Sequence, residues 1–389
     1  MGFSVTQQTS PFDRIIDRRS SESNKWHRFD PDVLPMWVAD MDFTSPQPVI
    51  DALRDRVEHG VYGYGQESEE LRRVIVERVA RLYDWTIQPD DVMFLPNVAV
   101  SFNLASHALT SPGDKMLMQP PIYFPLLRVP ENVGIEGELC PLVQEPSGRY
   151  AIDFEALEAA ISKQTKLFIL CNPHNPVGRV YSREELERIA EICLRHDVAI
   201  CSDEIHADFI YSGNTHVPIA SLSPEVAQNT VTILSSNKTF NLAGISCAVV
   251  IVPNATIRER MMASERGLIP HVGIMGFTAA LAAYEHGDPW LRELLAYLEE
   301  NRNYVDRYVA ENLPGMRSTP IEGTFLSWLD CRDLDLDESP SEFFLREARV
   351  AMNEGAMFGQ GGETFVRFNF GCPRATVIEG LERIKRAIS

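Results

Sequence analysis

Long apolar runs are missing from this chain. Nowhere do its residues hold the roughly 20 apolar positions in a row that a membrane-spanning helix needs. Basic residues are scarce too: 36 Lys and Arg against 55 Asp and Glu leave a formal charge of −19. A surface this acidic repels polyphosphate and anionic lipid, so neither nucleic acid nor a membrane is expected as a partner. No Cys-x-x-Cys occurs, and the 7 cysteines are odd in number and sit mostly in apolar segments such as Ile192-Cys193-Leu194. That argues against a disulfide framework and for a reducing compartment. The opening residues, Met1-Gly-Phe-Ser-Val-Thr-Gln-Gln8, have no basic stretch leading into an apolar core. No signal peptide is therefore expected, and the location expected is cytoplasmic.

Several chemical signatures are absent as well. Lys238-Thr239 has no Gly-rich turn before it, so there is no Walker A loop, and no Gly-x-Gly-x-x-Gly opens a helix after a strand. The 9 histidines form no His-Glu-x-x-His and no zinc-like spacing with cysteine. No Gly-x-Ser-x-Gly elbow occurs either. The common nucleotide, metal and serine-hydrolase readings all lose support.

What is present is an ordinary globular mixture, 44% hydrophobic and 23% charged over 389 residues. That length calls for two or more structural units. Residues 1–45 show little periodicity and read as an arm. From Gln66 to Tyr83 the pattern is helical, with Leu71, Val74, Ile75, Val79 and Leu82 on one face. Short apolar runs then alternate with helical patterns: Met116–Met118, Leu167–Cys171, Val198–Ser202, Val231–Leu234 and Cys247–Val252. Ser182-Arg-Glu-Glu185 is a capping box that opens one of the helices. Apolar strands between amphipathic helices predict a mostly parallel α/β sheet covered on both faces. After about residue 285 the rhythm changes. A long helix from Asp288 should end before Pro314-Gly315, and Ser339-Pro-Ser-Glu342 should open another. The strands around Thr324–Leu329 and Thr364–Phe370 read as half-buried. The division expected is an arm (1–45), a large unit (46–285) and a smaller α+β unit (286–389).

Three strand ends carry candidate chemistry. Leu170-Cys-Asn-Pro-His-Asn-Pro-Val-Gly178 presents asparagines after an apolar strand, at the edge where open α/β sheets bind ligands. An Asn-Pro pair alone would more often be a turn. Ile200-Cys-Ser-Asp-Glu-Ile-His206 ends a buried strand with two carboxylates. One of them could pair with a cationic ring nitrogen, or could simply cap the next helix. In Leu234-Ser-Ser-Asn-Lys-Thr-Phe-Asn-Leu-Ala-Gly244 a lysine comes directly after a strand. Most lysines are solvated, but one at a sheet edge can be desolvated and made nucleophilic.

In this order the three motifs resemble the fold-type I pyridoxal-phosphate (PLP) enzymes. Three further strings narrow the resemblance to the cystathionine β-lyase, or C–S lyase, branch of the aminotransferase superfamily. They are Leu34-Pro-Met-Trp-Val-Ala-Asp-Met-Asp-Phe43, Val61-Tyr-Gly-Tyr-Gly65 and Phe365-Val-Arg-Phe-Asn-Phe-Gly-Cys-Pro-Arg374. The resemblance implies a seven-stranded, mostly parallel sheet domain with a smaller α+β domain. It implies PLP as cofactor, bound covalently by Lys238. Asp203 would pair with the pyridinium nitrogen, Asn175 with the ring oxygen, and Tyr123 would stack on the ring. Backbone near Val98 and Ala99, with the Ser235 hydroxyl, would hold the phosphate. Arg367 would grip the substrate carboxylate, with the backbone around Val38 and Ala39 over it. Tyr64 would reach the site of a second copy, which implies a homodimer. Two positions depart from the wider superfamily. Ser246 stands where aminotransferases commonly carry a phosphate-binding Arg. His206 stands where many carry Tyr, and either a cofactor contact or a structural role fits it. The activity implied is β-elimination from S-substituted cysteines, with transamination as the alternative. A PLP-binding regulator without activity sits poorly with the intact trio Lys238, Asp203 and Arg367.

Overall fold

The computed structural model describes residues 10–389. The first nine positions, part of the arm and of the stretch read for a signal peptide, lie outside the described residues. The central sheet has seven strands: β1 (Val92–Leu95), β2 (Lys115–Met118), β3 (Glu136–Leu139), β4 (Thr165–Cys171), β5 (Ala199–Asp203), β6 (Thr230–Ser235) and β7 (Ala248–Ile251). Their spatial order is β1-β7-β6-β5-β4-β2-β3. All neighbours run parallel except β7, which is antiparallel to both β6 and β1. This is the mostly parallel α/β sheet expected.

Alternation explains why β4 reads as uniformly apolar. Leu167, Ile169 and Cys171 enter one core with Phe102 and Ala105 of helix α1 (Val98–Leu109). Phe168 and Leu170 enter the opposite core with Leu186, Ile189 and Cys193 of helix α2 (Arg183–Arg195). The Ser182–Glu185 capping box that starts α2 is formed. Burying each of these Leu, Ile and Phe side chains contributes about 1.5–3 kcal/mol.

The C-terminal part carries a four-stranded antiparallel sheet of β8 (Arg317–Ser318), β9 (Leu326–Asp330), β10 (Asn353–Glu354) and β11 (Phe365–Asn369). Their order is β8-β9-β11-β10. Here the expectation of half-buried strands is corrected, since every residue of β9 and β11 is buried. Val366 and Phe368 pack with helix α3 (Asp288–Asn312) and helix α4 (Arg374–Ile388). Trp328 and Phe365, stacked at 4.9 Å, pack into the core that also holds Phe168 of the central sheet. The helix at Ser339 is shorter than its start signal suggested: Pro340–Phe343, with a π-turn after it.

The arm is not a free appendage. Leu34–Pro35 pairs in parallel with Val350–Ala351. Phe12 packs edge-on against Phe43 at 5.2 Å. Among the described residues, no helix is long and apolar enough to cross a membrane.

Candidate functional site

Strands β4, β5 and β6 end side by side, and the loop or turn beyond each strand is held by its own hydrogen bonds. After β4, Asn172 N donates to Asp203 O at 3.0 Å, and Asn172 Oδ1 accepts from Tyr181 N at 3.1 Å. The loop between them folds back and presents Asn175. After β5 the two carboxylates part company, and neither caps a helix. Asp203 lines a cavity, and its Oδ1 accepts from Ile205 N at 3.2 Å. Glu204 turns into the scaffold, accepting from Ser202 Oγ at 2.8 Å and meeting His216 Nε2 at 2.8 Å. After β6, Ser235 Oγ accepts from Asn237 N at 3.1 Å and so caps the single helical turn that carries Lys238. Thr239 on that turn donates to Asp208 at 2.7 Å, and Asp208 is paired with Arg78 at 2.7 Å.

The cavity at these ends measures about 130 Å³. It gathers Val38, Ala39, Val98, Ala99, Tyr123, Asn175, Asp203, His206, Lys238 and Arg367, ten of the twelve residues singled out in the sequence. The other two lie elsewhere. The Ser235 hydroxyl donates to Cys247 O at 3.1 Å and does not line the cavity. Tyr64 is fully exposed, at the rim of a wider, more open cleft with Arg72, Arg258 and His271. That cleft holds none of the strand-end groups. Sequence reasoning missed Trp37, Phe124, Cys171, Ile205 and Asn353 in the wall of the cavity.

Burial sets the electrostatics. It brings the Lys238 amine down to about 8, helped by Arg367 and opposed by Asp40 and Asp203. It raises the Asp203 carboxyl to about 6, against the Ile205 N–H and Lys238. Burial also lowers the Arg367 guanidinium to about 10 and, with Lys238 and Arg367, holds His206 neutral. The Tyr123 hydroxyl is raised by burial. His206 packs against Phe325 at 5.7 Å, and its buried Nδ1 has no partner among the described residues.

Arg367 has no carboxylate partner among the described residues. Its Nη1 donates to Asn175 Oδ1 at 2.9 Å, and its Nη2 to Asn353 Oδ1 at 2.6 Å and Trp37 O at 3.0 Å. Its Nε is buried and unpartnered. The strap from Trp37 to Phe43 has almost every carbonyl engaged by a side chain. Asn369 Nδ2 reaches Val38 O at 2.6 Å, Lys238 Nζ reaches Ala39 O, and Lys25 Nζ reaches Asp40 O at 2.9 Å. Asn241 Nδ2 holds Met41 O and Phe43 O at 3.1 and 2.7 Å. The strap wall is thus fixed from the arm and from both sheets' loops.

Comparison with known proteins extends the reading over the whole chain. The aminotransferase class I and II model matches residues 31–384. Over 386 residues the chain is 38% identical to cystathionine beta-lyase PatB of Bacillus subtilis, covering 97% of this chain and 100% of that protein. Cystalysin from Treponema denticola, whose structure contains pyridoxal 5'-phosphate, matches with a TM-score of 0.93 at 32% identity, over 97% of this chain and 98% of that one. The PLP-bound C–S lyase from Staphylococcus hominis matches with a TM-score of 0.91 at 31% identity, with the same two coverages of 97% and 98%. With both sheets and every wall of the cavity inside the matched span, the chain belongs to the class I and II aminotransferase family.

Proposed function

We propose that this protein is a PLP-dependent carbon–sulfur lyase of the cystathionine β-lyase type, cleaving S-substituted L-cysteines to pyruvate, ammonia and a thiol. The observation that carries the reading is one buried cavity holding an amine, a carboxylate and a guanidinium that the protein leaves short of partners. The full-length similarity to C–S lyases supports it.

The residues present fit the cofactor. Among the described residues, Asp203 Oδ2 accepts no protein hydrogen bond, which suits a protonated ring nitrogen. The Asn175 amide nitrogen is likewise free for a ring oxygen, since Arg367 engages only its Oδ1. Val98 and Ala99 open α1, where first-turn N–H groups have no intrahelical acceptor. Asn97 caps only Val100, at 2.9 Å, so those two amides suit a phosphate. Tyr123 would cover one ring face. Ser235 would join the phosphate only by turning its hydroxyl away from Cys247 O.

When bound, PLP supplies an electron sink for negative charge at the substrate Cα. Lys238 would hold the cofactor covalently through Nζ. The substrate amine would displace that bond and free the lysine amine, which burial brings to about 8; it would be unprotonated in a usable fraction near neutral pH and would take the Cα proton. Asp203 keeps a proton on the ring nitrogen by accepting it in a hydrogen bond. Arg367 binds the α-carboxylate, and the strap at Val38 and Ala39 excludes water above it. Cβ–S would then break with its electron pair on sulfur, which takes up a proton and leaves as the thiol, and the three-carbon remainder would take up one water to give pyruvate and ammonia. In this reading the active form is a cytoplasmic homodimer, in which the exposed Tyr64 serves the site of the second copy. Residues 10–45 and 286–389 would form the part that carries Arg367 and the strap.

The test is to supply L-cystathionine to the loaded enzyme and assay pyruvate. Pyruvate well above a Lys238→Ala control is expected, and its absence would sink the lyase reading. Exchange of the amino group with a 2-oxo acid, without pyruvate, would assign transamination instead. Sedimentation at assay concentration tests the dimer, and an active monomer would overturn it.

A further inference from the structure

Among the described residues, the buried Arg367 cation is held only by neutral oxygens. Two of them belong to asparagines, Asn175 on Nη1 and Asn353 on Nη2. Asn175 comes from a motif at the end of the central sheet. Asn353 comes from the two-residue strand β10, directly opposite Arg367 in the pairing of β10 with β11. The cross-strand register therefore delivers its carboxamide to the guanidinium. Asn353 is itself buried and lines the cavity, and among the described residues its amide nitrogen has no protein acceptor.

The chemical type matters here. An Asp at the same place would put a carboxylate within hydrogen-bond distance of a buried guanidinium. The two would form an internal ion pair, and an incoming carboxylate would have to compete with it. An apolar residue would leave one Nη2 N–H without an acceptor and the fork held only by Asn175 Oδ1 and Trp37 O. An asparagine does neither. Its oxygen orients Nη2 without neutralising the charge, and its nitrogen is a second donor on the cavity wall.

We propose that Asn353 is a positioning and specificity residue. It fixes the Arg367 fork while leaving its positive charge for the substrate α-carboxylate, and its own amide nitrogen donates to that carboxylate. This rests on the reading of Arg367 as the carboxylate anchor.

The experiment uses the loaded enzyme and two probes without a leaving group at Cβ, L-alanine and L-alaninamide. Their dissociation constants are read from the change in cofactor absorbance. The variants are Asn353→Asp, Asn353→Ala and Arg367→Met, each compared with wild type by circular dichroism and thermal midpoint. Loss of a charge-assisted hydrogen bond or of an unpaired cation corresponds to about 10- to 100-fold in affinity. Asn353→Asp should weaken L-alanine by that factor and leave L-alaninamide unchanged or tighter. Asn353→Ala should weaken L-alanine less, with alaninamide again little changed. Equal effects of Asn353→Asp on both probes, or none on either, would overturn the proposal. Arg367→Met separates it from the reading beneath it. If that variant no longer prefers L-alanine over alaninamide while Asn353→Asp still does, only the role of Asn353 falls. If Arg367→Met keeps the preference, the anchor itself is misassigned and both fall.

Discussion

Two clusters of buried charge lie on either side of the strap, and they are built on opposite principles. On the arm side, Lys25 and Asp42 meet at 2.6 Å with side-chain exposures of 1% and 5%. Asp42 also accepts from Arg18 at 2.7 Å and from Trp26 Nε1 at 2.9 Å. Arg18 reaches Asp40 as well, at 2.8 Å, so two cations face two carboxylates and the charges cancel. On the cavity side, Asp203 has one backbone donor, Lys238 has a strap carbonyl, and Arg367 has only neutral acceptors. The carboxyl groups register the difference. Burial raises Asp203 to about 6. At Asp42 burial is outweighed by Lys25, then by Trp26 and Arg18, and the carboxyl sits below the usual range. The first cluster is finished by the protein. The second is left for a ligand to finish, and that incompleteness marks it as functional.

The comparison breaks most sharply under removal of one charge from each side. Lys238→Ala should lower pyruvate formation from L-cystathionine by about 10⁴-fold, the upper range for loss of a positioned base. The cofactor-free variant should unfold in denaturant at about the wild-type midpoint, because no protein carboxylate depends on that amine for a hydrogen bond. Asp42→Asn should do the reverse. Leaving the buried Lys25 without its carboxylate, while Arg18 keeps Asp40, should cost about 3–5 kcal/mol of stability. Purified holoenzyme of that variant should keep a turnover number within a few-fold of wild type at low temperature. Equal loss of activity and stability in both variants would erase the distinction.

A pH series on the cofactor-free protein sharpens it further, because the two carboxylates contribute with opposite sign. Asp203 has a folded pKa of about 6, above its unfolded value. The folded state binds the extra proton, so this group's contribution falls as pH rises from about 4 to 6, by about 3 kcal/mol in full. Asp42, held low, contributes stability that is present above the unfolded pKa and is lost as pH falls through the folded one. Asp203→Asn should therefore flatten the decline between pH 4 and 6 in urea titrations. Asp42→Asn should remove stability throughout that range. A wild-type curve that Asp203→Asn leaves unaltered would show that this carboxyl is not desolvated.

Which parts of the fold and site are legible in the sequence depends on where each feature is encoded. The inner strands β4, β5, β6 and β7 are visible because both faces are covered and each holds a short, mostly apolar run. The two strands overlooked, β1 and β3, are the two edges of the sheet. Glu136-Gly-Glu-Leu139 is largely exposed and carries no apolar run to find. Lys238, Asp203 and Asn175 stand out because each ends such a run in a short motif. Asn353 does not, because its meaning comes from cross-strand register with Arg367, and a two-residue strand has no periodicity. The Ser235 hydroxyl, expected at the phosphate, bonds Cys247 O, a partner that the antiparallel β6–β7 pairing supplies. The strap's carbonyls are identical for any sequence, so only their donors could be read, and those lie up to 331 positions away.

The smallest expected effect tests whether the arm cluster is over-determined. Arg18 is the most exposed of its cations, with 22% of its side chain open to water, so solvent screens its two ion pairs. Arg18→Met keeps much of the aliphatic stem and removes one positive charge. Asp42 would still hold Lys25 and Trp26, and Asp40 would turn toward solvent, where its side chain is already 23% open. The loss should be about 1 kcal/mol in urea unfolding, well short of that of Asp42→Asn. It should shrink in high salt, since a partly exposed pair is screened and a fully buried one is not. Arg18 Nη1 also donates to Met41 O at 3.2 Å, so the variant loosens the strap at one carbonyl while Asn241 keeps hold of the same oxygen. The KM for L-cystathionine should therefore stay within about two-fold of wild type, a shift of under 1 kcal/mol. A larger rise in KM than in instability would mean that the arm cluster, although electrically complete, sets the position of the strap over the substrate and so belongs to the site after all.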